Sequence, residues 1–111
     1  MEWVSGNVYI RAQKLAKAGD RTQGHKHNFD HTTIVFSGSV HVHAVLPDGT
    51  VIDRDFGEGT LLGLRHFLVR AEVEHEITAL VDGTEYWCVY SHRTPQGDVV
   101  LANNGWMDAY V

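Results

Sequence analysis

The sequence predicts an all-β domain, a barrel or sandwich of short strands, and three observations predict it. Turn signals recur at short intervals: AGD at 18–20, SGS at 37–39, PDG at 47–49, GEG at 57–59, DGT at 82–84 and PQG at 95–97. The runs between them are short and rich in Val, Ile, Leu, Thr, Phe, Tyr and Trp, side chains that fit a pleated, half-buried surface. No long segment repeats its apolar residues at helical spacing, so no helix competes for the core. At 111 residues, 43% hydrophobic and 21% charged, the chain has the size and composition of one globular domain, and it shows no internal repeat or linker.

The first ten residues carry Trp3, Val4, Val8, Tyr9 and Ile10, an apolar strand placed to pair with a second copy in a homodimer. AQKLAKAG, at 12–19, contains helix formers but too few apolar positions to bury a helical face, so it reads as a strand end and a turn. HTTIVFSG, from His31, reads as a strand. In SVHVHAVL the residues Val40, Val42, Ala44 and Leu46 form a core stripe, which turns His41 and His43 toward solvent or a partner subunit. In AEVEHEITAL, Glu72, Glu74 and Glu76 share one face and must meet water, so His75 points inward with Val73, Ile77 and Ala79. TEYWCVYSH sets Tyr86, Cys88 and Tyr90 against Trp87 and Val89. Cys88 has no activating neighbour in this pattern and reads as a buried inert thiol.

Eight histidines in 111 residues invite a search for a site, and GHKHNFDH, at 24–31, holds three of them. His25 and His27 are two apart, so on an extended segment both imidazoles project to one side. His31 lies roughly 13 Å further along an extended chain, at about 3.3 Å per residue, so sharing an ion with the pair requires a bend at Asn28 to Asp30. A fourth ligand must come from a distant inward-facing strand position, which alternation assigns to His75. Four imidazoles disfavour calcium and magnesium, which take oxygen ligands, and favour a divalent transition metal: Fe, Mn, Ni, Cu or Zn. Asp30 is either an acceptor for a ligand N–H or a solvated turn residue. His66 and His92 have no partner at ligand spacing and read as surface or loop residues, with a place at the mouth of the barrel as the alternative for either.

These residues resemble a family. GHKHNFDHTTIVFSG is similar to the first cupin motif, HxH, three or four residues, Glu, six residues, Gly; His25, His27, His31 and Gly38 match its spacing, with His31 in the place of Glu. GEGTLLGLRHFLVRAEVEHEITAL resembles the second motif, whose histidine maps onto His75, although the family's Pro and Gly ahead of it are replaced around Arg70 to Glu74. The resemblance implies a double-stranded β-helix, a jelly-roll-like barrel, with its six-stranded core at about 12–92 and a four-histidine metal site at one end. A neutral imidazole where the family has a carboxylate leaves the ion's charge less compensated, so the site should be more electrophilic and welcome an anion.

The functions this implies divide by class. The leading expectation is a metal-dependent enzyme acting on a small anionic or chelating substrate, with dioxygenase-like chemistry, and lyase or isomerase chemistry on the same ligands. A non-catalytic module that holds a metal or senses a small ligand is the alternative, because four histidines can close a tetrahedral zinc shell. A sugar isomerase or epimerase is the third. The nine Lys and Arg are scattered in a chain of net charge −5, which argues against nucleic acid as a partner. MEWVSGNVYI lacks the basic and long apolar regions of a signal peptide, no stretch is long enough to span a membrane, and the single cysteine can form no internal disulfide; a cytosolic location is expected.

Overall fold

Alternating burial along short strands builds two antiparallel sheets. The structure, a computed structural model, describes residues 2–5, 7–27 and 29–91, with the backbone alone for 3–5 and 23–25. Its strands are β1 (Glu2–Ser5), β2 (Val8–Leu15), β3 (Arg21–His25), β4 (His31–Ser37), β5 (Ser39–Val45), β6 (Val51–Gly57), β7 (His66–Val69), β8 (Glu74–Ala79) and β9 (Thr84–Ser91). One sheet has the order β1-β2-β9-β4-β7 and the other β3-β8-β5-β6. No described residue is helical, and no helix is long and apolar enough to cross a membrane. Nine strands form among the described residues. Short strands such as β3 and β7 carry too few alternations to be counted from sequence.

The inner faces follow the predicted stripes. Val40, Val42 and Ala44 are buried on β5, Ile77 and Ala79 on β8, and Tyr86, Cys88 and Tyr90 on β9. Leu15, Val35 and Phe56 complete the same cluster, and Tyr9 stacks on Tyr90 at 4.9 Å. Burial pushes the Cys88 thiol up to about 12, which keeps it protonated and inert as expected. β2 ends at Leu15, and the chain turns at Ala16–Asp20 through Gly19, also as expected. β1 pairs with β2 of its own chain, Trp3 opposite Ile10 and Val4 opposite Tyr9.

Gly38 is the single residue between β4 and β5, where the chain passes from one sheet to the other. Its φ is +76°, and a Cβ there would run into the side chain and Cα of Thr84, itself 1% exposed. The glycine that ends the first motif is therefore a corner that admits no side chain.

On the outer face of β5, His41 and His43 point away from the core. His41 Nδ1 lies 2.6 Å from Asp55 and its Nε2 2.9 Å from Asp53, while His43 Nδ1 lies 2.8 Å from the same Asp53 oxygen. The hydrogen bonds to Asp55 and then Asp53 hold the His41 pKa above its ordinary 6.5, against a smaller opposing effect of burial. A folded-state pKa raised in this way contributes stability that is fully present below the unfolded pKa and lost as pH rises through the folded value. The contribution is small, because both partners are solvent-screened. An NMR titration of the His41 ring should place its midpoint above 6.5 and Asp55→Asn should lower it; a midpoint at 6.5 in the parent protein refutes the pairing.

Candidate metal centre

Three of the four predicted ligands meet. His27 follows β3, His31 opens β4 and His75 lies in β8. They are 5%, 2% and 3% exposed, which for three imidazoles in one place calls for a compensating partner. Ring centroids are 5.1 Å apart for His27–His31, 5.1 Å for His27–His75 and 5.5 Å for His31–His75. One donor atom from each lies within 4.8 Å of the others. Metal–nitrogen bonds of about 2.0–2.1 Å put two bound nitrogens at most about 4.2 Å apart, so small ring rotations close the set on one ion. The donor chemistry fits a transition metal. His25 ends β3 with its backbone opposite His75, and its side chain lies outside the described residues.

The convergence has identifiable local causes. The chain bends at Phe29, whose ring stacks on His27 at 5.0 Å and packs against Tyr90 at 4.7 Å, a wedge between the site and the core. The loop that leads into β8 is latched to this bend: Ala71 N–H donates to Asp30 Oδ1 at 2.7 Å, and Glu72 N–H donates to the His27 carbonyl at 2.6 Å. Asp30 is thus neither an acceptor for an imidazole nor a merely solvated turn residue; it ties the two motifs together. Glu72 has φ +65°, so this non-glycine residue makes the left-handed turn where the cupin motif has Pro and Gly. Asp30→Ala should loosen the latch and weaken metal affinity by about tenfold, the lower end of the effect of removing ligand-supporting contacts. Competition against a chromophoric chelator measures it, and unchanged affinity would show that the latch is not needed.

Hydrogen bonds also orient the rings. His75 Nδ1 lies 3.0 Å from the Val73 carbonyl, which can only accept, so the proton sits on Nδ1 and the lone pair on Nε2. His31 Nδ1 lies 3.3 Å from Thr33 Oγ1, and Thr33 is fully buried. Both contacts leave Nε2 as the nitrogen of choice for an ion.

Beside His75, between edge strand β6 of one sheet and edge strand β7 of the other, lies a cavity of about 680 Å³. His66 opens β7 at its rim and is exposed, a surface residue at the mouth of the cavity. His92 lies outside the described residues.

Two antiparallel sheets around a buried histidine cluster define a metal-binding β-barrel. Comparison with solved structures shows that this barrel is similar to that of a cupin enzyme. Two variants of Bacillus subtilis oxalate decarboxylase each match with a TM-score of 0.67 at 26% identity, over 78% of this chain and 22% of theirs. A structure of the same enzyme described for its Mn(II) centres matches with a TM-score of 0.67 at 25% identity, over 93% of this chain and 26% of its own. The chain has the cupin fold and spans about a quarter or less of the length of these relatives. No protein-family model and no curated protein matches it.

Proposed function

We propose that this cupin is a metal-dependent enzyme in which His25, His27, His31 and His75 hold one divalent transition metal and a small anionic or chelating substrate is activated beside it. The observation that carries this reading is the convergence of three buried imidazoles on one point. Bound there, the metal supplies Lewis acidity and, for Fe, Mn or Cu, redox chemistry of the dioxygenase-like kind. The chain's own part is to fix the His75 tautomer through Val73, to orient the His31 ring through Thr33, to exclude water with Phe29 and Tyr90, and to present a neutral donor set that leaves an anion attractive. The Mn(II) centres of the oxalate decarboxylase relatives support manganese as an occupant and decarboxylation of a carboxylate as the second reading. A homodimer and a cytosolic location remain part of the proposal, the dimer resting on the edge position of β1 in its sheet.

Metal analysis of untagged protein, followed by an oxygen-consumption screen with small diols and diketones, tests the reading. Stoichiometric metal with chelator-sensitive turnover supports it; protein that takes up no transition metal refutes it. Metal bound in a closed four-nitrogen shell by X-ray absorption, with no turnover, supports the non-catalytic alternative. His31→Glu should retain the metal and bind azide more weakly than the parent, because the carboxylate compensates the ion's charge. Equal azide affinity would remove the charge argument. Sedimentation at micromolar concentration showing only a 12.4 kDa species would refute the dimer.

A further inference from the structure

The cavity beside His75 has walls and a rim of different chemistry. Val42, Ala44, Phe56, Phe67, Val69 and Val73 give it apolar walls, with Phe56 and Phe67 stacked at 4.4 Å. The ionisable groups that line it are Arg54, His66, Arg70 and His75; among the described residues no carboxylate does. Arg54 is not on the outer face with Asp53 and Asp55. It stands opposite Val42 in the β5–β6 register and shares the inner face with Ile52 and Phe56, reaching water only because the seam between β6 and β7 is open. Arg54 and Arg70 take part in no ion pair among the described residues, whereas Arg11, Arg21 and Arg65 each have a carboxylate partner. Two uncompensated guanidiniums at an apolar cavity, in a chain of net charge −5, form a local anion-attracting rim.

We infer that this site takes an amphipathic organic anion: a carboxylate or equivalent head that meets Arg54 and Arg70, on an apolar body of several carbons that fills the cavity toward His75. A volume of about 680 Å³ suits a drug-sized molecule. Oxalate, for which the similar enzymes are named, has no apolar surface and would leave these walls hydrated. Calling the ligand a substrate rests on the proposed metal chemistry; its binding needs only the cavity and the arginines.

The test uses the full chain stripped of metal by chelator and titrated calorimetrically with acetate, butyrate, hexanoate, octanoate, oxalate and 1-octanol. Kd should fall by about fourfold per added methylene, the value for burying one CH2. The double variant Arg54→Gln/Arg70→Gln should bind octanoate at least about tenfold more weakly, as loss of a charged hydrogen bond predicts, and leave 1-octanol unchanged. Both arginines are exposed, so this variant should keep the parent's circular dichroism and melting curve. Ala44→Phe, which narrows the cavity, should end the gain in affinity at a shorter chain. A Kd independent of chain length, oxalate binding as tightly as octanoate, or an unchanged double variant would each overturn the inference. Separate titration with Mn(II) and Zn(II) keeps the two proposals apart. Metal uptake without octanoate binding removes only the ligand class, and octanoate binding without metal uptake removes only the metal chemistry.

Discussion

His31→Ala sharply weakens metal binding, and so, separately, do His27→Ala and His75→Ala. Each substitution removes one of the three described donors of a buried cluster. Since loss of a supporting contact alone costs roughly 10–100-fold in affinity, loss of a ligand should cost at least about a hundredfold. His25→Ala is expected to behave in the same way if its side chain completes the set. His41→Ala and His43→Ala keep the metal, because both rings lie on the outer face of β5 with Asp53 and Asp55. Metal that binds only the native state at a thousand times its dissociation constant stabilises by about 4 kcal/mol, so chelation should lower the melting temperature of the parent protein by on the order of 20 °C. The ligand variants, bound at least about a hundredfold more weakly, should keep at most about 1.4 kcal/mol of that stabilisation at the same metal concentration and show a correspondingly smaller chelator effect. Metal content and melting curves for the six variants, with and without chelator, decide it. Loss of the ion in His41→Ala together with its retention in His75→Ala would place the site elsewhere.

Gly38→Ala destabilises the fold by about 2–5 kcal/mol. Part of this is the cost of φ +76° to a residue with a Cβ, about 1–2 kcal/mol. The rest is overpacking, about 1–3 kcal/mol, because the methyl meets Thr84 at the start of β9 and Thr84 is held by its own bond to the Val81 carbonyl at 2.8 Å. Gly49→Ala is the control. It has a similar φ of +89° and nothing within 4 Å of the point a methyl would occupy, so only the conformational cost applies. Urea denaturation of the two variants separates the terms: equal losses at both positions would mean that Gly38 is required for its dihedral alone.

The strands that alternate cleanly were legible in the sequence, and so was the facing of the side chains they carry. Three carboxylates on one side of β8 and the turn before it sent His75 inward, and the stripe Val40, Val42, Ala44 sent His41 and His43 outward; the structure shows both. The first motif was legible for a related reason, since His27 and His31 flank a short segment whose bend is local. Alternation is set by the backbone of one strand, and a strand cannot change it without losing its core face.

The contacts between distant segments were not legible in the same way. Asp30 latching Ala71, Glu72 turning left-handed against the His27 carbonyl, and Gly38 packed against Thr84 each join residues more than forty positions apart, except for the turn at Glu72 itself. No pattern along the chain encodes them. Arg54 shows the reason most clearly. Between two aspartates it reads as one more solvated charge, and period-two alternation alone puts it on the inner face, where a guanidinium is normally excluded. Both statements hold together because β6 and β7 are edge strands of different sheets and the seam between them is open, which lets an inward-facing arginine keep its charge in water at the rim of an apolar cavity.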